Sequence, residues 1–208
     1  MELPPEIRVN PVAHWTGRLL LPLFGWKTEG QLPDVPQWIC IVAWHTSNWD
    51  FPIGILTSWV FRIHTSFLGK DSLFRGPLGW FFRAVGGIPV DRSRHNNLVT
   101  AAVDAFRSRP HLIYAVAPEG TRQKSECWRS GFYHIALEAK VPIVPAFLDY
   151  GRKVAGFGPP IYPTGDVEAD LATIRAFYST VTAKHPELKG EVRFRKADPG
   201  NKQDGLAV

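Results

Sequence analysis

The sequence predicts a single α/β domain with a mostly parallel central sheet flanked by helices. Continuous apolar runs of strand length alternate along the chain with segments of helical periodicity, which is typical of this class. Polar side chains follow directly after several of these runs, at the place where open α/β sheets hold their ligands. The chain has 208 residues, 45% of them hydrophobic, which is enough for one domain with its own core.

The first part of the chain differs from the rest in composition. Its prolines predict an extended stretch over residues 1–13, and residues 14–24 predict a short helix broken by Pro22. Aromatic residues flank the apolar run of this helix, a composition typical of segments that lie in a membrane interface. The glycine and prolines of residues 27–37 predict a loop. The predicted organisation is an arm with a short amphipathic membrane-contact segment (1–37), a main domain (38–196) and a polar tail (197–208).

The predicted strands are short apolar runs bounded by proline, glycine or polar residues. The run Trp38–Trp44 is apolar throughout, which indicates a strand buried on both faces. The other predicted strands, in chain order, are 65–69, 88–90, 111–116 and 143–148, with an edge strand at 191–195. Their alternation with helices favours parallel pairing.

Helical spacing of apolar residues predicts the intervening elements. The segment Ser47–Asp50 has the order of a capping box, so we expect a helix over 51–63. Asp166 is placed to cap a long final helix that Gly190 ends. The other predicted helices are 71–85, interrupted by Pro77, then 98–107 and 132–139.

Charge and composition narrow the class of partner. The net charge of +5 and the pI of about 9.4 indicate an anionic partner. The basic residues are scattered, with no zinc-finger spacing, so we do not expect nucleic acid. Cys40 and Cys127 are far apart and indicate buried free thiols rather than a disulfide or a metal site. No apolar stretch reaches the length of a transmembrane helix, and the first residues lack a signal-peptide pattern.

His45 and Asp50 form the first candidate catalytic pair. His45 follows a predicted buried strand, and Asp50 falls in the first turn of the next helix. Asp50 can then point back and orient the imidazole, which leaves its other nitrogen to accept a proton from a substrate hydroxyl. The alternative is a helix-capping Asp50 beside a buried histidine. Ser47 is interpreted as a cap rather than a nucleophile, because the chain has no G-x-S-x-G elbow.

Residues Glu119 to Arg122 form the second candidate segment, again directly after a predicted strand. Gly120 permits a tight turn, Thr121 offers a hydroxyl, and Arg122 can grip a phosphate with two hydrogen bonds. Glu119 can orient that arginine or bind a substrate hydroxyl. The alternative is a surface turn with an internal ion pair. Two more cations follow strand ends and would converge on the same pocket, namely Lys70 and Arg92.

These segments, taken in order, resemble the four sequence blocks of the glycerolipid acyltransferases, and most closely the 1-acylglycerol-3-phosphate acyltransferase family. The resemblance covers roughly residues 38–150. The matching blocks are His45-x4-Asp50, Gly87–Arg92, Pro118–Arg122 and Val141–Pro145, with Trp128–Gly131 resembling the link between the last two.

The resemblance implies acyl transfer from a thioester, acyl-CoA or acyl carrier protein, to a lipid hydroxyl, with no metal or other cofactor. His45 would act as general base and Asp50 would orient it. The acceptor, and above all its phosphate, would be held by Arg92, Glu119, Gly120, Thr121 and Arg122, with Lys70 as a further phosphate partner. Residues 38–196 would be the acyltransferase domain, attached peripherally to the cytoplasmic face of the cell membrane.

Some residues depart from the family pattern and keep the acceptor open. Little of the chain precedes the His45 block, and Trp49 and Ala117 are unusual choices within their blocks. A lyso-amino lipid, another lysophospholipid or an amine therefore stays an alternative acceptor. Two other activities remain open: a thioester hydrolase that uses the same base, and a non-catalytic module that binds anionic lipid.

Overall fold

The apolar runs of the sequence come together in one seven-stranded sheet. The computed structural model of the chain describes residues 7–90 and 98–194. The strands of this sheet are β1 (Lys27–Gly30), β2 (Gln37–Val42), β3 (Ser66–Lys70), β4 (Gly87–Val90), β5 (Leu112–Val116), β7 (Ile143–Asp149) and β8 (Val154–Phe157). Two further short strands, β6 (Cys127–Trp128) and β9 (Glu191–Phe194), pair with each other in a second sheet.

The main sheet is mostly parallel, as the sequence predicts. Its order is β1-β8-β7-β2-β5-β3-β4. The run β7-β2-β5-β3-β4 is parallel throughout, whereas β8 is antiparallel to β7 and carries β1 in parallel. The five parallel strands therefore all end at one edge of the sheet, and the loops after them meet there. The α/β prediction is confirmed.

Helices cover both faces of the sheet. Their bounds are α1 (Pro11–Leu23), α2 (Asp50–Val60), α3 (Asp71–Arg75), α4 (Gly79–Ala84), α5 (Leu98–Ser108), α6 (Gly131–Ala139) and α7 (Val167–Ser179). As predicted, Pro77 lies between two short helices, and the side chain of Asp166 caps α7 by accepting a hydrogen bond from the N–H of Ala169. Across residues 7–90 and 98–194, no helix has the length and apolar character needed to cross a bilayer.

The side chains of β2 alternate between two cores. Ile39 and Ile41 face the larger core, which α5, α6 and α7 close. Trp38 and Cys40 face the opposite core, next to the layer formed by α1 and α2. The central strand is thus buried on both faces, which explains its uniformly apolar sequence.

Helix α1 lies directly on α2. A Cβ atom at Gly17 would stand 2.8 Å from the carbonyl oxygen of Leu56, so the glycine allows the two backbones to approach closely. His14 Nδ1 lies 3.1 Å from the carbonyl oxygen of Trp59 and adds a polar contact between the helices. Leu21 is buried on the same side. The other side of α1 remains exposed and carries a row of large apolar side chains, Val12, Trp15, Leu19 and Leu23.

Three predictions about elements are wrong. Residues Lys27–Gly30 were predicted as a loop but form β1, whose exposed side chains carry no apolar pattern and whose pairing with β8 comes from the backbone. The final helix ends at Ser179 rather than near Gly190, and the apolar period continues because Val181 packs into the core from the following loop. The first helix was predicted over residues 14–24 with a break at Pro22, but α1 begins at Pro11 and continues through Pro22 to Leu23. The polar tail lies outside the described residues.

Candidate active site

His45 and Asp50 meet at the carboxyl edge of the sheet, just beyond the end of β2. Nδ1 of His45 lies 3.3 Å from Oδ2 of Asp50, at ion-pair distance although not aligned as a hydrogen bond. Nδ1 is inaccessible, so the 17% of the His45 side chain that is exposed belongs to its other atoms. Nε2, on the opposite side of the ring, is therefore the nitrogen available to a substrate.

Asp50 is held from several sides. It is 2% exposed and is the first residue of α2. Its Oδ2 accepts a hydrogen bond of 2.7 Å from the N–H of Ser47, and its Oδ1 accepts one of 2.6 Å from the hydroxyl of Tyr150. Burial opposes ionisation of Asp50, but its contacts with His45, Tyr150 and Ser47 outweigh burial and hold the pKa of Asp50 below its usual range. A charged Asp50 can stabilise a protonated His45.

Glu119 links the two candidate segments. Its Oε1 accepts a hydrogen bond of 3.1 Å from the backbone N–H of His45. The residue is 6% exposed, and its Oε2 is buried without a hydrogen-bond partner among the described residues. Burial raises the pKa of Glu119 to about 7, and the negative charge of Asp50 contributes in the same direction. Glu119 thus fixes the backbone of the residue that carries the base.

The turn after Glu119 depends on its glycine. Gly120 has φ +64°, and a Cβ atom there would collide with the side chain of Arg129, which packs over the turn. The N–H of Arg129 donates to the carbonyl oxygen of Pro118 at 2.8 Å. Thr121 and Arg122 follow on the exposed side of the turn, where Thr121 Oγ1 accepts a hydrogen bond from the following backbone. Arg122 is therefore accessible to a phosphate from solvent.

For the other two predicted cations, Lys70 and Arg92, the structure describes only the backbone of Lys70. Lys70 ends β3 at the same edge of the sheet, with β5 lying between β3 and β2. Adjacent strands are about 4.8 Å apart, so the backbone of Lys70 stands roughly 10 Å across the sheet from β2. Arg92 lies outside the described residues. Their assignment to the acceptor's phosphate stays a prediction.

Tyr150 and Arg129 belong to this site but were not predicted as site residues. Tyr150 directly follows β7, which lies beside β2 on the side opposite to β5. The rule that ligands collect after parallel strands could have drawn attention to it, since its position is equivalent to those of His45 and Glu119. Arg129 follows the short strand β6, which lies outside the main sheet, so the same rule does not point to it, and only the fold of the turn brings it against Gly120.

The arrangement suits removal of a proton from a hydroxyl. An accessible imidazole nitrogen stands opposite a buried carboxylate, which is the geometry of a general base with an orienting acid. Arg122, which follows Glu119 in the same turn, supplies positive charge to an exposed surface. Within residues 7–90 and 98–194, no three His, Cys, Asp or Glu side chains gather as metal ligands would.

Comparison with known proteins relates the chain to one enzyme family. The sequence model of the family described as Acyltransferase matches residues 29–149. A 1-acyl-sn-glycerol-3-phosphate acyltransferase of Haemophilus influenzae is 27% identical over 206 residues, which covers 88% of this chain and 84% of that protein. The protein of the same name from Cocos nucifera is 29% identical over 147 residues, and the match spans only 46% of its length.

A solved structure shares the fold. The crystal structure of PlsC, the 1-acyl-sn-glycerophosphate (LPA) acyltransferase of Thermotoga maritima, superposes with a TM-score of 0.58 and 18% sequence identity. The superposition covers 86% of this chain and 80% of that one. The similarity therefore extends well beyond the residues around His45.

Proposed function

This chain belongs to the acyltransferase family, and we propose that it transfers a fatty acyl group from a thioester to the hydroxyl of a lysophospholipid. The donor is acyl-CoA or acyl carrier protein. The acceptor is of the 1-acylglycerol-3-phosphate type, for which the Haemophilus relative is named. The observation that carries the proposal is the accessible imidazole of His45 set against the buried, charged carboxylate of Asp50.

The reaction needs no covalent intermediate with the protein. Nε2 of His45 accepts the proton of the acceptor hydroxyl while that oxygen attacks the thioester carbonyl carbon. The new C–O bond forms, a tetrahedral oxyanion collapses, and the C–S bond breaks. The departing thiolate takes the proton from the imidazolium. Throughout, Asp50 stabilises the positive charge on His45.

Replacement of His45 tests the base. His45→Ala should lower kcat for acyl transfer by about 10²–10⁴-fold, because general-base catalysis typically contributes that much. The assay measures thiol release and lipid product with an acyl-CoA donor and 1-acylglycerol-3-phosphate. His134→Ala, which removes an exposed histidine on α6, is the matched control and should keep the parent rate. Activity of His45→Ala within about tenfold of the parent would exclude the base assignment.

Arg122 is the proposed partner of the acceptor's phosphate. It is exposed beside the turn at Gly120, and a guanidinium can hold a phosphate through two hydrogen bonds. Arg122→Ala should raise KM for a phosphorylated acceptor by about tenfold, the effect of losing roughly 1.4 kcal/mol of binding. It should leave KM for a phosphate-free monoacylglycerol unchanged, and an equal effect on both acceptors would contradict the phosphate role. Arg107→Ala on α5 is the control.

Product analysis separates transfer from hydrolysis. In the proposed reaction, thiol release depends on the lipid acceptor, and the acyl group appears in the lipid. Equal thiol release without acceptor, with free fatty acid as product, would identify a thioester hydrolase. Lipid binding with no thiol release at all would identify a non-catalytic module.

We also propose that the protein attaches peripherally to a membrane through the exposed row of α1, on the cytoplasmic face where acyl donors of this kind are found. Trp15 and Leu19 are 61% and 64% exposed, and the guanidinium of Arg18 lies 5.4 Å from the centre of the Trp15 ring. Aromatic and apolar side chains beside a cation suit the interface of an anionic bilayer.

Flotation with vesicles tests this attachment. The parent protein should float with vesicles that contain phosphatidylglycerol, helped by its net charge of +5. The double variant Trp15→Glu with Leu19→Glu should remain in the dense fraction, because it places two carboxylates in the apolar row. Val167→Glu, at an exposed apolar position on α7, is the control and should float like the parent. Equal flotation of all three proteins would exclude α1 as the attachment surface.

A further inference from the structure

We propose that Tyr150 is a positioning residue for the His45–Asp50 pair and that it acts through the carboxylate of Asp50. The inference rests on the proposed function, in which Asp50 orients the base. Tyr150 follows β7 and reaches Asp50 across 100 residues of sequence, with its hydroxyl 2.6 Å from Oδ1. Within the described residues, Tyr150 makes no hydrogen bond or ring contact with His45.

The two oxygens of Asp50 have different partners. Oδ2 faces Nδ1 of His45 and also accepts the N–H of Ser47, whereas Oδ1 is bound by Tyr150. A carboxylate can rotate about its Cβ–Cγ bond unless both oxygens are held. The hydroxyl of Tyr150 therefore fixes the rotation that keeps Oδ2 directed at the imidazole.

Tyr150 is itself firmly placed. Its ring packs edge-on against the buried ring of Trp26, with centroids 4.9 Å apart, and its backbone N–H donates to the carbonyl oxygen of Thr182 at 2.9 Å. Nζ of Lys184 lies 5.9 Å from the centre of the same ring. Burial and the Asp50 carboxylate raise the pKa of Tyr150 well above its usual range, so the hydroxyl keeps its proton and remains a donor.

The surroundings argue against an independent role for the hydroxyl. It donates to a nearly fully buried carboxylate, and its loss would leave Oδ1 buried without a partner. Such a group would recover a partner by rotating, and that rotation would move Oδ2 away from His45. Misplacement of a catalytic group by about 1 Å can cost on the order of 10²-fold in rate.

The chain offers a matched control for the effect on stability. Tyr133 on α6 donates its hydroxyl to Oδ2 of Asp170 at 2.7 Å, which is also a hydrogen bond from a tyrosine to a buried aspartate. Asp170 lies on α7, and its side-chain hydrogen bonds within the described residues come from Tyr133 and Thr164, which are not part of the candidate site. Tyr133→Phe and Tyr150→Phe thus remove the same chemical group from the same kind of pair, and only the second pair includes Asp50, the partner of His45.

A double-mutant cycle in acyl transfer tests the inference. Tyr150→Phe should lower kcat by about 10–100-fold and change KM for the acceptor little, because the hydroxyl does not touch substrate. Tyr133→Phe should keep the parent kcat. In an Asp50→Asn background, Tyr150→Phe should change kcat by less than about twofold, since its effect passes through the missing carboxylate. An equal loss in both backgrounds, or a kcat of Tyr150→Phe within about twofold of the parent, would overturn the inference.

A readout without substrate separates this inference from the proposed function. Diethyl pyrocarbonate acylates neutral histidines, and mass spectrometry reports the rate at His45, with the exposed His185 as internal reference. Tyr150→Phe and Asp50→Asn should both change the rate at His45 relative to His185 in the same direction, because each releases the imidazole from the oriented carboxylate, and the double variant should match Asp50→Asn. If the parent transfers no acyl group, the proposed function fails, yet these rates still decide the role of Tyr150. An unchanged His45 rate in Tyr150→Phe would refute it.

Discussion

Replacement of Glu119 by glutamine should change how the free energy of unfolding depends on pH. Burial raises the pKa of Glu119 from 4.5 to about 7, and its Oε2 has no hydrogen-bond partner in the described part of the chain. Between these two pH values the folded protein keeps a proton on Glu119 that the unfolded chain releases. Because the folded state binds more protons in this window, its stability falls as the pH rises through it.

The size of the effect follows from the same pKa. A change from 4.5 to about 7 corresponds to about 3 kcal/mol, at roughly 1.4 kcal/mol per pH unit. Glutamine does not titrate and can still accept the hydrogen bond from the N–H of His45 through Oε1. The stability of Glu119→Gln relative to the parent should therefore rise by up to about 3 kcal/mol between pH 4.5 and 7 and stay level above that.

Urea denaturation followed by tryptophan fluorescence measures both proteins across this window. The pKa values of Asp50, Asp149 and Asp170 are lowered in the fold, but these groups titrate in both proteins, so their contributions cancel in the difference. Glu138→Gln, at an exposed position on α6, is the control and should follow the parent at every pH. A difference curve for Glu119→Gln that is flat from pH 4.5 to 7 would refute the reasoning.

Three further substitutions probe contacts that stabilise the fold. Burial opposes ionisation of Asp149, but its hydrogen bonds with Arg152 outweigh burial and lower the pKa of Asp149. Asp149→Asn should therefore lower the free energy of unfolding by about 1–2 kcal/mol at neutral pH and by less at acidic pH. Urea titrations at both pH values measure this difference. Gly17→Ala brings a methyl group against the carbonyl oxygen of Leu56 and should cost about 1–3 kcal/mol, with faster hydrogen exchange in α1. Tyr178→Phe removes a hydroxyl that lies 2.8 Å from carbonyl oxygens of both β2 and β7, and calorimetry should report a loss of about 1–2 kcal/mol.

The meeting of His45 with Glu119 was predictable because it depends on local features. Each residue follows a short apolar run, and parallel strands place their carboxyl ends at one edge of a sheet. Once the two strands pair as neighbours, the loops after them have to meet. Strand identity and direction therefore predicted that both residues lie at one edge of the sheet, and the pairing of β2 with β5 makes them neighbours there.

Other features depend on strand order and backbone pairing, which leave little trace in the sequence. Tyr150 reaches Asp50 only because β7 lies beside β2, and no spacing along the chain indicates that neighbour. All four residues of strand β1, Lys27–Gly30, are exposed. The place of this strand in the sheet is therefore set by the hydrogen bonds of its backbone. The early end of α7 was missed because Val181 is buried although it lies outside the helix.

Helix α2 lies between the His45–Asp50 pair and the proposed attachment surface on α1. Asp50 is its first residue, and α1 packs along it with the apolar row turned outward. For an enzyme held to a bilayer by that row, the acceptor concentration that sets the rate is the number of lysolipid molecules per unit area, not per unit volume. Inert phospholipid added at constant total lysolipid should slow turnover, whereas diluting enzyme and vesicles together should leave the rate per enzyme unchanged. With the proposed attachment, the packing of two helices would confine the search for substrate to two dimensions.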